Sequence, residues 1–95
     1  MVRISQKARI AMQSMVPEDR ARVQRHVKRL KRLPEDTRAI RDAKKIRGVS
    51  DPLYILRASD RFRIIFRFDG DKAEVVDIVT RDRLKRMHRY FHENV

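Results

Sequence analysis

A run of eight residues past the middle of the chain alternates large apolar groups with charged ones. One parity carries only phenylalanine and isoleucine, and the other carries three arginines: Phe62, Ile64, Phe66 and Phe68 against Arg61, Arg63, Ile65 and Arg67. Successive side chains of a β-strand point to opposite faces, so this alternation predicts a strand with one buried face. Four large apolar side chains on one face require a covering layer, which predicts a sheet packed against helices.

Two further strands flank this one. Leu53–Ala58 precedes it after the break Ser59-Asp60, and Ala73–Thr80 follows the turn Asp69-Gly70-Asp71. Asp-Gly between two strand-like segments is a strong hairpin signal, so we expect antiparallel neighbours. Unbroken alternation along the last strand would place four residues on one side: Val75, Asp77, Val79 and Arg81.

The segments that precede residue 34 and follow Arg81 have helical periodicity, and Pro17, followed by two acids, is a strong helix start. The predicted segments are a short strand at Val2–Ile4 and helices at Ile4–Met15, Pro17–Leu33, Thr37–Ile46 and from about Asp82 onward. At this length the chain forms a single domain, covering residues 1–95. We predict an α+β fold in which an N-terminal helical hairpin packs on a small antiparallel β-sheet, with a C-terminal helix.

The charge of the chain predicts a polyanionic partner. Lys and Arg number 25 against 13 acids, giving a net charge of +12, which suits nucleic acid, a membrane surface or an acidic protein. The absence of cysteine excludes disulfides and thiol nucleophiles. No apolar run approaches the ~20 residues of a membrane span, and the N-terminus is too polar for a signal peptide. We therefore predict a cytoplasmic protein with no membrane partner.

The arginines of the predicted strands are the first candidates for a site. Arg57, Arg63, Arg67 and Arg81 are expected to converge on the face of the sheet opposite the helices. Arginine stays charged and offers a planar fork of donors that matches phosphate. The alternative is ordinary cross-strand ion pairing with Asp60, Asp77 and Asp82, but these acids are too few to neutralise all the arginines.

The order of residue types around these arginines forms a longer pattern. Two lysines precede a glycine: Lys44, Lys45 and Gly48. The next predicted strand ends in Leu56-Arg57, and a tight turn leads to a strand with a central arginine, Phe62-Arg63-Ile64-Ile65-Phe66. The last predicted strand ends at Arg81. This pattern, behind two helices of the right length, resembles the RelE/ParE superfamily of bacterial and archaeal toxin–antitoxin systems. The resemblance covers essentially the whole chain and implies a compact sheet with two N-terminal helices.

For RelE-like members, the resemblance implies an endoribonuclease that cleaves mRNA in the ribosomal decoding site. The ribose 2′-hydroxyl attacks the adjacent phosphate without a metal or other cofactor. Arg63 and Arg81 match family arginines that would stabilise the phosphate, Arg57 matches a strand-end arginine, and Tyr90 or His88 would act on the RNA from the C-terminal segment. The basic residues expected to bind RNA around this site are Lys44, Lys45, Arg47, Arg61, Arg67 and Arg83.

Two departures from the family pattern leave the general base open. Leu53 and Ile55 stand where some nucleases of the family carry lysines, and the spacing from Arg81 to Tyr90 is longer than usual. Lys44 or Lys45 is the candidate base if the connection folds over the site, and a lysine base needs a lowered pKa. His88 and His92 have a metal-ligand spacing, but no third ligand accompanies them, so we predict no metal site.

The basic helix that begins at Pro17 has two readings. Seven of the residues 20–32 are Lys or Arg, and His26 lies among them as an ordinary solvated residue. The helix forms either a solvated outer face or a surface that docks on ribosomal RNA phosphates.

The resemblance implies three partners: an acidic antitoxin protein, the ribosome and mRNA. The leading prediction is a RelE-like toxin that inhibits translation. The alternatives are a ParE-like toxin that poisons DNA gyrase by binding alone, and a catalytically degenerate member that binds only RNA or its antitoxin.

Overall fold

The computed structural model describes residues 2–32, 41–46 and 52–91, with side chains as far as residue 86. In chain order the elements are β1 (Arg3–Ile4), α1 (Gln6–Gln13), α2 (Pro17–Lys31), β2 (Lys44–Ile46), β3 (Leu53–Arg57), β4 (Phe62–Asp69), β5 (Lys72–Thr80) and α3 (Arg81–Phe91). The α+β class and the three predicted central strands are confirmed.

The five strands form one sheet in the order β1-β5-β4-β3-β2. Neighbouring strands from β2 to β5 are antiparallel, but β1 lies parallel to β5, so the sheet is mixed rather than antiparallel throughout. Gly70 turns the β4–β5 hairpin with a φ of 65°, a left-handed conformation that a side chain would strain. Sequence position alone did not indicate that the N-terminal strand would join the far edge.

The N-terminal helices begin where their capping residues predict. The Ser5 hydroxyl accepts a hydrogen bond from the Ala8 amide at 3.1 Å, so α1 starts at Gln6 rather than at Ile4. Pro17 occupies the first turn of α2, with Glu18 and Asp19 at the positive end of the helix dipole. Ser5 also donates to the Val76 carbonyl at 2.6 Å, which ties the start of α1 to the sheet.

Arg20 of α2 forms hydrogen bonds to the end of α1. The Arg20 guanidinium donates to the carbonyls of Met12, Gln13 and Met15 at 3.1, 3.1 and 3.0 Å. These carbonyls lie at the C-terminal end of α1, where backbone acceptors lack helical partners. Both helices bury apolar residues in the same core. That α1 and α2 form a helical hairpin stays a prediction in its details.

The main core lies between the helices and one face of the sheet. Its buried members include Ala8, Met12, Val23, Val27 and Leu30 from the helices, and Leu56, Phe62, Ile64, Phe66, Val75 and Ile78 from the sheet. Phe66 is fully buried, and its ring lies 5.5 Å from Tyr54 and 5.8 Å from Phe68, centroid to centroid. The predicted phenylalanine face of β4 therefore does meet the helices.

The opposite face of the sheet is not the open arginine face that the alternation predicted. A second buried cluster lies there, formed by Ile46, Ile55, Ile65, Val79 and Leu84. Leu84 belongs to α3, so this helix covers part of the face. Arg57, Arg63 and Arg81 consequently line a partly enclosed space instead of a flat surface, and Arg67 does not line it.

A β-bulge in β5 overturns the predicted alternation of that strand. Ile65 pairs with Asp77 and Phe66 pairs with Val75, so Val76 is an extra residue. Val75 therefore packs in the main core while Val79 packs in the second cluster. Asp77, 6% exposed, pairs with the Lys7 ammonium at 3.3 Å.

The predicted helix over Thr37–Ile46 is corrected in part. Lys44, Lys45 and Ile46 form the edge strand β2, which pairs with β3 through Ile55, Tyr54 and Leu53. Residues 37–40 lie outside the described part of the chain. A strand of three residues is too short to display periodicity, so the sequence carried no signal for it.

Candidate functional site

A cavity of about 350 Å³ opens beside the second cluster, between the sheet and α3. Its lining residues are Asp42, Lys44, Ile55, Arg57, Arg63, Arg81, Leu84 and Lys85. Three guanidinium groups and two ammonium groups thus surround one space, which we call the arginine cavity. Such a concentration of cations favours an anionic ligand.

Arg63 is the most firmly held of these cations. Its Nη1 donates to the carbonyls of Ser59, Phe62 and Asp60 at 2.6, 3.1 and 3.3 Å. Burial, followed by the neighbouring charges of Arg57 and Arg81, lowers the pKa of Arg63, while Asp60 opposes this. A guanidinium nevertheless stays protonated at neutral pH, so the fold holds a positive charge where its surroundings disfavour one.

Arg57 and Arg63 are directly opposed across β3 and β4. Like charges at a cross-strand pair destabilise a sheet, so this pairing is unfavourable for folding. Arg57 also forms an ion pair with Asp60, and both side chains are largely exposed. The solvent-screened pair contributes little to stability, so it offsets little of the repulsion between the two facing arginines.

The first turn of α3 brings Arg81 into the cavity. The Arg81 amide donates to the carbonyl of Arg61 at 2.7 Å, which fixes the start of α3 against the residue that precedes β4. The Thr80 hydroxyl accepts from the Arg83 amide at 3.2 Å and caps the helix. Arg81, Leu84 and Lys85 follow the spacing i, i+3, i+4 on one helix face.

Two charged lining residues, Lys85 and Asp42, were missed by the sequence analysis. Lys85 was detectable, because it lies four residues after Arg81 on a predicted helix. Asp42 gave no signal, since it lies before the candidate strands in a connection where only a short helix was predicted. The Arg29 guanidinium binds Asp42 at 2.5 Å, which links α2 to the rim of the cavity.

Several predicted RNA-binding residues lie elsewhere. Lys45 is exposed on β2 and does not line the arginine cavity. The Arg61 guanidinium stacks over the Phe62 ring at 5.3 Å, and Arg61 and Arg83 both border a separate cavity of about 370 Å³. Arg67 forms a cross-strand ion pair with Glu74 at 2.8 Å, an acid that the alternative of ordinary ion pairing did not name.

The C-terminal candidates are placed only by their backbone. His88 and Tyr90 belong to α3, and their side chains lie outside the described part of the chain, as does Arg47. Across the residues that the structure describes, no three His, Asp or Glu side chains cluster as metal ligands do. The described helices include none that is long and apolar enough to span a membrane.

His26 is a half-buried member of the basic face of α2. Its Nδ1 lies 3.1 Å from Arg29 Nη1, and a guanidinium only donates, so this nitrogen accepts. Burial, followed by the charges of Arg29 and Arg25, lowers the pKa of His26 below its ordinary 6.5, while Asp42 opposes the shift. The folded protein therefore favours the neutral imidazole.

This lowered pKa makes folding stability depend on pH. Well above pH 6.5 the ring is neutral in both states, and as the pH falls past 6.5 the unfolded chain takes up a proton before the folded protein does. We expect the free energy of unfolding to fall as the pH drops from 6.5 through the folded-state pKa. Urea unfolding at pH 7.5 and 5.5 should show a smaller loss for His26→Gln than for the wild type, and equal losses would contradict this assignment.

Comparison with known proteins identifies the architecture. No family model matches the chain, and no curated protein matches it. A chain in the crystal structure of the archaeal RelE–RelB complex from Pyrococcus horikoshii OT3 superposes with a TM-score of 0.64 at 23% identity, covering 86% of this chain and 94% of that one. The chain has a RelE-like fold. The predicted resemblance is thus confirmed at the level of the fold.

Proposed function

We propose that this protein is the toxin of a type II toxin–antitoxin pair, and that it is a ribosome-dependent mRNA endoribonuclease. The observation that supports this most is the convergence of Arg57, Arg63 and Arg81 on one cavity of a RelE-like fold. Convergent, anchored cations are what a phosphoryl transition state requires. The proposed activity places the protein in the cytoplasm, where ribosomes and mRNA are found.

In the proposed reaction, the 2′-oxygen of one nucleotide attacks the phosphorus that follows it. The new P–O2′ bond replaces the P–O5′ bond, leaving a 2′,3′-cyclic phosphate and a free 5′-hydroxyl. Negative charge builds on the non-bridging oxygens, and Arg63 and Arg81 would stabilise it while Arg57 holds the approaching strand.

Two proton transfers complete the step. A base takes the 2′-hydroxyl proton, and an acid supplies one to the leaving 5′-oxygen. Lys44 lines the cavity and is the base we propose, while Lys45 lies outside it. His88 is the acid we favour over Tyr90, because it follows Arg81 by seven residues, on one face of α3.

The surrounding cations would bind ribosomal RNA and the antitoxin. We propose that the outer basic residues contact phosphates beyond the cavity: Lys45, Arg47, Arg61, Arg67 and Arg83. The structural neighbour is a complex of RelE with RelB, and we propose a comparable acidic partner for this chain. A net charge of +12 supports strong attraction to such a partner.

Adding the purified protein to a cell-free translation reaction tests the proposal directly. We expect mRNA 5′ ends that fall in phase with codons at the ribosomal A site. The same mRNA without ribosomes should stay intact. Random cuts, or cuts that do not need ribosomes, would contradict ribosome-dependent cleavage.

Gyrase poisoning is the second candidate function. Of the described residues that line the arginine cavity, none is a histidine or a tyrosine, which suits a site that binds without catalysis. Intact mRNA combined with inhibited DNA supercoiling would favour this candidate. Intact mRNA with unaffected supercoiling would instead indicate a member that only binds RNA or its antitoxin.

A further inference from the structure

A second cleft lies on the other side of Arg57, between α2 and the turn from β3 to β4. Its volume is about 420 Å³, and its lining residues are Arg22, Arg25, His26, Arg57, Ala58, Ser59 and Asp60. Three guanidinium groups face one carboxylate, which already pairs with Arg57. We call this space the α2 cleft; Arg57 borders both it and the arginine cavity.

The core fixes which side of α2 faces this cleft. Arg22, Arg25 and His26 follow the spacing i, i+3, i+4, so they share one side of the helix. Val23 and Val27 are buried in the main core beside them. Because the apolar stripe cannot leave the core cheaply, the basic side is held towards the turn.

Two neutral groups in the cleft are available as donors. His26 accepts from Arg29 at Nδ1, so its neutral ring carries the proton on Nε2. The Ser59 hydroxyl oxygen accepts from the amides of Phe62 and Arg61 at 3.1 and 3.3 Å. That arrangement leaves the hydroxyl proton for a ligand.

The lining favours a phosphate over an amphipathic peptide. Ala58 is the one apolar side chain among the described lining residues, and a docked helix needs several apolar contacts along its face. Arginine forks with nearby hydroxyl and imidazole donors match a phosphodiester instead.

We propose that the α2 cleft binds a second phosphate of the RNA strand whose scissile phosphate occupies the arginine cavity. Arg57, at the border of the two spaces, would lie between successive phosphates of that strand. This inference rests on the proposed function, and it extends the site by adding a binding subsite on α2. It also gives the basic helix a defined role in substrate binding.

The test compares two uncleavable RNAs, a dinucleotide and a pentanucleotide, both fully 2′-O-methylated. The dinucleotide has one phosphodiester, which the arginine cavity alone can hold. We expect the wild type to bind the pentanucleotide about tenfold or more tightly than the dinucleotide, with a steeper dependence on salt, because more phosphates are neutralised. Fluorescence polarisation at several salt concentrations measures both affinities.

The decisive variant is Arg22→Gln/Arg25→Gln. It should remove most of the pentanucleotide's advantage and reduce its salt dependence, yet leave dinucleotide binding within about twofold. Lys28→Gln/Lys31→Gln is the matched control, because it removes the same charge from α2 at positions outside the lining. Circular dichroism confirms that both variants fold.

Three outcomes would overturn the inference. The first is an equal loss of pentanucleotide affinity in the two double variants, which indicates a general charge effect. The second is a pentanucleotide that binds the wild type no better than the dinucleotide. The third is that binding of a glutamate-rich helical peptide depends on Arg22 and Arg25 while binding of the RNAs does not. That result would assign the cleft to a protein partner.

Failure of the proposed function would look different. In that case Arg63→Gln would leave dinucleotide binding unchanged, because the arginine cavity would not hold RNA. If dinucleotide binding depends on Arg63 but not on Arg22 and Arg25, the arginine cavity still binds RNA. If the pentanucleotide then binds no more tightly than the dinucleotide, only the second subsite is rejected.

Discussion

Replacing Arg63 with glutamine is expected to slow ribosome-dependent mRNA cleavage by about 10²–10³-fold, the usual effect of removing one preorganised donor from a charged transition state. Three backbone carbonyls hold this guanidinium in place. Its loss also relieves the like-charge contact with Arg57 across the sheet. The variant should therefore lose activity without losing stability, which single-turnover cleavage and urea unfolding measure separately.

Arg9→Gln serves as the control for this prediction. Arg9 is an exposed arginine on α1 whose Nε donates to the Ile4 carbonyl at 3.3 Å, outside the arginine cavity. Its replacement should leave cleavage within about twofold of the wild type, as expected for a surface substitution. An Arg63→Gln protein that still cleaves mRNA at the wild-type rate would remove Arg63 from the site.

Replacing Phe66 with alanine is expected to lower the free energy of unfolding by about 3–5 kcal/mol. The side chain is fully buried and packs against both Tyr54 and Phe68. A domain of this size has only about 5–15 kcal/mol of total stability, so the loss should be conspicuous in urea. Phe66→Leu, which fills more of the space, gives a measurable variant if the alanine protein fails to fold.

Phe68→Ala provides the comparison within the same strand. Phe68 lies on the same face of β4, but it is only half-buried. Because its ring is already partly in water, its removal should cost clearly less than that of Phe66. Equal losses for the two variants would contradict the described position of the core.

Local pattern predicted the centre of this fold well. The alternation from Arg61 to Phe68 identified β4 and its buried face, and Pro17 with its following acids marked the start of α2. These features depend on residues adjacent in sequence, so the chain displays them directly. The direct pairing of Arg57 with Arg63 was not predicted, because both parities of Leu53–Ala58 are largely apolar and do not define a buried face.

The parts that could not be predicted depend on distant contacts. The pairing of Arg3 with Glu74 joins residues that are far apart in the sequence, and no local pattern predicts it. Asp42 reaches the arginine cavity from a connection, and Leu84 covers a sheet face that alternation alone left open. Each requires knowledge of which elements become neighbours after folding.

The bulge at Val76 determines which face of the sheet each later residue of β5 occupies. Val75 and Val79 lie on opposite faces because the bulge adds one residue between them. Deleting Val76 would leave a regular strand in which Ile78 still faces the main core and Val79 still faces the arginine side, because the bulge contains one extra residue. The bulge thus accommodates the one residue by which β5 exceeds its partner between the hairpin turn and Arg81, and it keeps Val79 opposite Arg63.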